Sequence, residues 1–362
     1  MRDEFVGDPI AAPRRILVVK LSSLGDVVTA TASLRALRRA FPAADLRVAV
    51  EGRFRAVVEA CPEADGVVEA ASRSRLTPGH LRDIGRAIGV ERRARGDFDL
   101  ALDLQGTRRS AAWVYLSRAA IKAGRGALRP GWRTAFVPDL SQHAVRVCAA
   151  LCAGIGVPAG DLEPRLSTRP EHEAALDAIL DCALLPRAGF VVLNPFGPWA
   201  SKSWAEDRSV ELARRVAGAT GAAVVLGGGE GERGPADRVA RASAPGDAVS
   251  LAGRLSLPEA FCLWRRARLV VSCDSGPMHA AAALGTPVVA LFGPTHPERT
   301  GPRGPGHVVV QASRPADHHA FRRDPQRVHM GALDVDRVAD AVLATLGAAA
   351  ANATVAPPAG PR

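Results

Sequence analysis

The chain alternates between short apolar runs and longer stretches whose apolar positions recur every three to four residues. RILVVK (15–20), DLRVAV (45–50), DGVVEA (65–70) and FDLALDL (98–104) read as strands. VVTATASLRALRRAF (27–41), RFRAVVEAC (53–61), a polar segment around His80–Arg95 and TRRSAAWVYLSRA (107–119) read as helices. A further helix from about Ser141 to Ile155 closes this half. Strands and helices that alternate this regularly form βαβ units, with a parallel sheet that binds ligands at the carboxyl ends of its strands.

A Pro/Gly-rich segment, GVPAGDLEPRLSTRP (156–170), then interrupts the pattern. The same grammar restarts at Gly189. FVVLNPF, AAVVLGGG, AVSLAG, RLVVSCD and PVVALFG read as strands. WAEDRSVELARRVAG, the segment near Pro235–Ala242, LPEAFCLWRRA and PMHAAAALG read as the helices among them, and DVDRVADAVLATLG as a final amphipathic helix. The expected fold is α/β: two Rossmann-like, doubly wound parallel-sheet domains facing a central cleft. The expected boundaries are a flexible arm over 1–13, an N-terminal domain over 14–165, a linker over 166–188, a C-terminal domain over 189–332, a helix over 333–347 and a disordered tail over 348–362. A chain of 362 residues is also too long for one ordinary core.

Composition adds less. The net charge of +10 points to an anionic partner such as a nucleotide, a phosphorylated glycolipid or a membrane surface. Nucleic acid is disfavoured, because aromatic residues make up 4% and no basic-aromatic run occurs. MRDEFVGDPIAAPRR lacks the apolar core of a secretory signal, and no run reaches the ~18 apolar residues of a membrane span. The six cysteines form no C-x-x-C pair and mostly sit in apolar stretches, so buried free thiols in a reducing cytosol are expected. No His/Cys cluster has zinc spacing, and no metal is expected.

The chemistry has to sit in the loops that follow the strands. In VVSCDSGPMHAAAALG (270–285), Asp274 and Ser275 end a strand and Gly276-Pro277 open a helix. Exposed amides and the helix dipole there favour a phosphate, although an ordinary capped helix start would read the same. NPFGPWASKSW (194–204) puts Ser201 and Lys202 after another strand, where the lysine either neutralises a phosphate or is merely solvated. LGGGEGE (226–232) offers Glu230 and Glu232 as acceptors for ribose hydroxyls, or is a flexible turn. LFGPTHPERTGPRGP (291–305), with Gly293 and Thr295, either wraps a ligand or is a stiff connection. In VVKLSSLGDVVTA (18–30), Gly25-Asp26 begins a helix, so Asp26 is a cap or a general base. The literal match GEGERG (229–234) lies after the wrong strand for a dinucleotide fingerprint, and no P-loop pattern occurs.

Taken in order, ILVVKLSSLGDVV, FDLALDLQGTRRSA, SKSWAEDRSVELA, VVLGGGEGE and CDSGPMHAAAALGTPVVALFGPTHPERTGP resemble the motifs of glycosyltransferase family 9, the bacterial heptosyltransferases. The resemblance runs from about Arg15 to Leu346. It implies a GT-B fold and metal-independent, inverting transfer of a heptose from ADP-heptose to an inner-core lipopolysaccharide sugar or other glycan acceptor. It implies no cofactor, since the ADP-sugar is a substrate. By the same resemblance Asp26 takes the general-base position, with Ser22, Ser23, Gly25 and Gln105 on the acceptor side. Lys202 stabilises the leaving diphosphate. Ser201, Lys202, Glu230 or Glu232, Asp274, Ser275, Gly276, Pro277, Met278, His279, Gly293 and Thr295 bind the nucleotide sugar, the glycine-rich spacing leaving open which of the two glutamates does. The expected enzyme is a cytoplasmic monomer that touches the anionic inner membrane peripherally. Two departures bear on the acceptor and the subfamily: Ala32 stands where relatives have proline, and ADHHAFRRDPQRVHMGAL stands where many have cysteines. The His318-His319 pair in that segment reads as a solvated loop rather than a metal site. Other readings of the same loops are a GT-B sugar-nucleotide epimerase and a non-catalytic nucleotide-sugar-binding protein.

Overall fold

In the computed structural model the chain divides into two compact units, residues 1–167 and 168–362. The structure describes residues 11–355 apart from 73–74, 126–131, 133, 137–138, 140, 159, 161–162, 198 and 313–329. The His318-His319 pair, the expected arm up to residue 10 and the expected tail from residue 356 lie outside the described residues.

The first unit runs β1 (Arg15–Val19), α1 (Leu24–Ala40), β2 (Asp45–Glu51), α2 (Arg55–Glu59), β3 (Gly66–Ala70), α3 (Pro78–Arg95), β4 (Leu100–Asp103), α4 (Arg108–Leu116), β5 (Ile121–Arg125), β6 (Thr134–Phe136) and α5 (Ala144–Ala153). The strands pair in the order β3-β2-β1-β4-β5-β6, and all the pairs are parallel. A central parallel strand is covered on both faces, which is why RILVV is apolar without alternation and buried throughout. Leu17, Val19 and Ala101 pack under Ile84 and Ile88 of α3 and Trp113 of α4. The helix ends follow local rules. Thr77 caps α3 by accepting from the His80 amide at 3.2 Å, Pro78 opens it, and Gly96 stops it at φ +88°.

The second unit runs α6 (Pro170–Cys182), β7 (Val191–Asn194), α7 (Glu206–Thr220), β8 (Val224–Leu226), α8 (Arg233–Ala242), β9 (Ala248–Ser250), α9 (Leu257–Arg266), β10 (Leu269–Cys273), α10 (Gly276–Ala283), β11 (Val288–Phe292), α11 (Pro297–Thr300), β12 (Val308–Gln311) and α12 (Val335–Val355). Its parallel sheet has the order β12-β11-β10-β7-β8-β9. Counted from its own first strand, each unit has the order 3-2-1-4-5-6, the doubly wound Rossmann arrangement. The direction of winding reverses between β1 and β4 in one unit and between β7 and β10 in the other. Ligand sites of such sheets sit at the carboxyl ends of those strands.

Several elements differ from the expected ones. The stretch 166–188 contains α6, which is clipped to α9 by Glu173, at 2.8 Å from Arg265 and 2.6 Å from Arg266. The final helix does not stop at residue 347 but runs to Val355, because the Ala-rich continuation is strongly helix-forming and the first breaker is Pro357. Strands β5, IKAGR, and β12, VVVQ, were not evident from the pattern. Among the described residues all six cysteines are free thiols, five buried and Cys182 exposed. Among the described residues no helix is long and apolar enough to cross a membrane.

Candidate functional site

In the first unit the loop after β1 is held by the loop after β4. Asp103, fully buried at the end of β4, accepts from the Gln105 and Gly106 amides at 2.9 Å each and from the Ser110 hydroxyl at 2.9 Å. This fixes a turn that aims the Gln105 side chain back at β1. Its Oε1 accepts from the Leu21 amide at 3.1 Å and the Ser22 amide at 3.4 Å. Gly106 has φ +77°, and a Cβ there would lie 2.7 Å from the Arg125 side chain, so the motif's glycine is required by both backbone and space. Gln105, expected to bind acceptor, is therefore at least partly a clamp on the Leu21–Ser22 backbone.

Ser22, Ser23, Gly25 and Asp26 come together at the start of α1. Ser23 is the N-cap residue. Its amide and hydroxyl both donate to Asp26 Oδ2, at 3.2 and 2.8 Å. The other oxygen, Oδ1, lies 3.4 Å from the Lys20 ammonium. Asp26 keeps 47% of its side chain exposed, whereas Lys20 keeps 6%. Lys20 is the lysine of the motif ILVVKLSSLGDVV, to which the sequence assigns no separate role. Burial works to lower its pKa, and the adjacent Asp26 carboxylate outweighs that and holds it above the ordinary value. Another buried carboxylate, Glu51 at the end of β2, accepts from Arg109 and Arg53 at 2.8 Å each; burial pushes its pKa up, but those guanidinium bonds hold it below normal.

In the second unit Lys202 lies in a single 3-10 turn after β7, and Asp274 directly follows β10. Lys202 Nζ donates to Asp274 Oδ2 at 2.7 Å, and Thr295 Oγ1 donates to the same oxygen at 2.6 Å. Asp274 is 6% exposed and Thr295 1%. Burial raises the Asp274 pKa, and the Lys202 charge with the Lys202 and Thr295 hydrogen bonds brings it below normal. Thr295, expected among the nucleotide-sugar-binding residues, is bonded to Asp274 of the same expected set. Ser275 holds the N-cap position of α10 without a side-chain cap bond, its hydroxyl donating instead to the Cys273 carbonyl at 3.1 Å. Gly276 and Pro277 open α10, His279 sits half-buried in its first turn and Met278 is fully buried in the core. Gly293 is buried just beyond β11, and the Ser201 hydroxyl is buried without a hydrogen-bond partner among the described residues.

The two glutamates after β8 separate. Glu232 Oε2 accepts from the Gly229 amide at 2.6 Å and caps the turn that leads into α8. Glu230 is exposed over 75% of its side chain, with Arg233 at 3.6 Å.

A depression of about 650 Å³ lies at the opposite, amino edge of the first sheet, lined by Arg15, Arg38, Asp45, Arg47, Asp65 and Arg95. Arg15 and Arg47 share Asp45, and Arg38 pairs with Asp65, so much of its charge is matched internally. Among the described residues no group of three or more His, Cys, Asp or Glu side chains can hold a metal ion.

The first unit thus holds a carboxylate at its switch point, and the second a lysine beside a helix start at its own. The model of glycosyltransferase family 9 (heptosyltransferase) matches residues 90–327. Lipopolysaccharide heptosyltransferase 1 of Pseudomonas aeruginosa is 29% identical over 83% of this chain and 84% of its own. The crystal structure of a family 9 glycosyltransferase from Veillonella parvula superposes with a TM-score of 0.85 at 20% identity, covering 94% of this chain and all, 100%, of that one. An E. coli heptosyltransferase determined with ADP gives a TM-score of 0.71 at 23% identity over 91% of this chain and 99% of that one. The chain therefore belongs to glycosyltransferase family 9, the heptosyltransferases, has their GT-B fold and is a glycosyltransferase.

Proposed function

We propose that this enzyme transfers a heptose from an ADP-sugar to a hydroxyl of a lipopolysaccharide-core acceptor, with inversion and without a metal. The reading rests above all on Asp26, whose carboxylate is oriented through Oδ2 by Ser23 yet remains half exposed at the carboxyl end of β1. An oriented, accessible carboxylate can take the proton of an attacking hydroxyl.

In the proposed step the acceptor oxygen forms a bond to the anomeric carbon. Its proton passes to Asp26. The bond from that carbon to the diphosphate oxygen breaks, and the electron pair leaves with ADP. Attack from the face opposite ADP inverts the centre. Charge develops on the departing diphosphate, where the Lys202 ammonium and the amides that open α10 stabilise it, so that a metal is not needed for this task. Of the two acids after β8, we assign the donor contact to Glu230, because Glu232 is occupied in capping the turn that precedes α8. The net charge of +10 favours an anionic glycolipid acceptor and peripheral contact with an anionic membrane face. Action as a monomer belongs to the same proposal.

The test is ADP release from ADP-heptose, with and without a deep-core lipopolysaccharide acceptor and in the presence of EDTA, with the anomeric configuration of the product read by NMR. The proposal expects acceptor-dependent, EDTA-resistant release and an inverted linkage. Retention of configuration, or loss of activity in EDTA that magnesium restores, contradicts it.

A further inference from the structure

Lys20 is the residue of the first unit whose placement the general-base reading does not by itself require. It ends the run RILVVK, immediately after β1, with 5% of its surface exposed. A lysine is rarely buried to this extent without a reason, since removing an ammonium from water costs several kcal/mol, roughly, unless partners replace the water. Its Nζ faces Asp26 Oδ1 at 3.4 Å and the Leu104 carbonyl at 3.4 Å. Among the described residues, the other charged or titratable groups that act on it are Cys148 of α5 and Arg125 at the end of β5. It is too buried to serve as a contact for a large acceptor.

The two oxygens of Asp26 thus have different surroundings. Oδ2 receives two hydrogen bonds from Ser23. Oδ1 looks at an ammonium whose position is set by a backbone carbonyl of the loop after β4. Leu104 in turn is adjacent to Gln105, which holds the Leu21 and Ser22 amides. The ammonium is therefore built into the same pair of loops that carries Asp26. A cation at this distance favours the ionised carboxylate and resists rotation of Oδ1 away from it.

We infer that Lys20 is a positioning residue for Asp26, holding the carboxylate ionised and Oδ1 in the orientation that receives the acceptor's proton. This rests on the assignment of Asp26 as the base. A purely structural lysine would support α1 equally well but would leave the pH dependence of turnover where it is.

The experiment compares wild type, Lys20→Met, Asp26→Ala, Asp26→Asn and the Lys20→Met/Asp26→Asn double variant in acceptor-dependent ADP release across pH. Lys20→Met is expected to lower kcat by ~10- to 100-fold, with the KM for ADP-heptose unchanged. The acid limb of its rate profile is expected to move up by about one pH unit or more, since the charge that favours the carboxylate is gone. In the Asp26→Asn background the same change is expected to add no further loss, because its effect runs through that carboxylate. A Lys20→Met enzyme with wild-type kcat and acid limb, while Asp26→Ala is inactive, overturns the inference and leaves Asp26 as the base. Turnover retained in Asp26→Ala removes the base assignment first, and the inference with it. If Lys20→Met does not fold, the 15N resonance of the buried lysine ammonium is compared between wild type and Asp26→Asn. A protected signal that shifts or disappears in Asp26→Asn supports the pairing, and an unchanged spectrum overturns it.

Discussion

Lys202 and Asp274 form a buried ion pair at 2.7 Å, and Thr295 completes it from the loop after β11. The lysine comes from the turn after β7 and the aspartate from the end of β10, so the pair spans the switch point of the second sheet. A lysine on a long flexible stem has no fixed head position unless a partner supplies one, and Asp274 does so here.

Breaking that pair from one side should be costly. Asp274→Ala leaves an ammonium without its counter-ion in a site with little water, and is expected to destabilise the protein by about 3–5 kcal/mol. Urea unfolding followed by circular dichroism checks this; a loss well under 1 kcal/mol would mean that the pair is weak.

The same pair predicts an acid-labile contribution. The Asp274 pKa is held below its ordinary value of 3.8, so its stabilisation is fully present above that value and is lost as pH falls through the depressed one. The stability difference between wild type and Asp274→Asn should therefore be constant near neutrality and shrink below about pH 4. A difference that is flat down to pH 2 contradicts the assignment.

Removing the lysine tests its proposed role in the leaving group. Lys202→Met is expected to reduce kcat by roughly 10²- to 10³-fold, the usual loss when one group stabilising developing charge is deleted. Steady-state ADP release checks this, and a kcat within threefold of wild type would assign the leaving-group charge elsewhere.

Glu230 and Glu232 should separate by what they change. Glu232→Ala removes the acceptor for the Gly229 amide and is expected to cost ~1 kcal/mol of stability with little change in the KM for the donor. Glu230→Ala is expected to leave the urea midpoint unchanged and raise that KM several-fold. The opposite pattern reverses the assignment.

Much of the fold could be read from the chain because parallel strands buried on both faces leave unbroken apolar runs. RILVV, VVLN and LVVSC are such runs, and each is a central strand. IKAGR is not, since Lys122 and Arg125 interrupt it, and its pairing with β4 and β6 is what reveals a strand. Beyond residue 347 the composition suggests a tail, whereas alanine propensity continues the helix to Val355. Motif spacing brought out the neighbourhoods of Asp26 and Asp274 but not the direction in which each side chain points. Met278 lies in a motif and faces the core, Thr295 faces Asp274, and Gln105 faces backbone amides. Lys20 stands in the same motif, but a lysine that closes an apolar strand reads as the point at which the chain meets water, and spacing alone does not show it buried against Asp26.

Single-turnover transfer by Asp26→Asn measures the central claim most directly. The variant keeps the shape of the side chain and an acceptor oxygen for Ser23 but cannot take a proton. With ADP-heptose and acceptor saturating, transfer should fall by about 10²- to 10⁴-fold while ADP binding, measured by calorimetry, stays within twofold of wild type. Transfer at the wild-type rate with ADP binding intact would show that the acceptor's proton goes elsewhere, and the role given to Asp26 would be wrong.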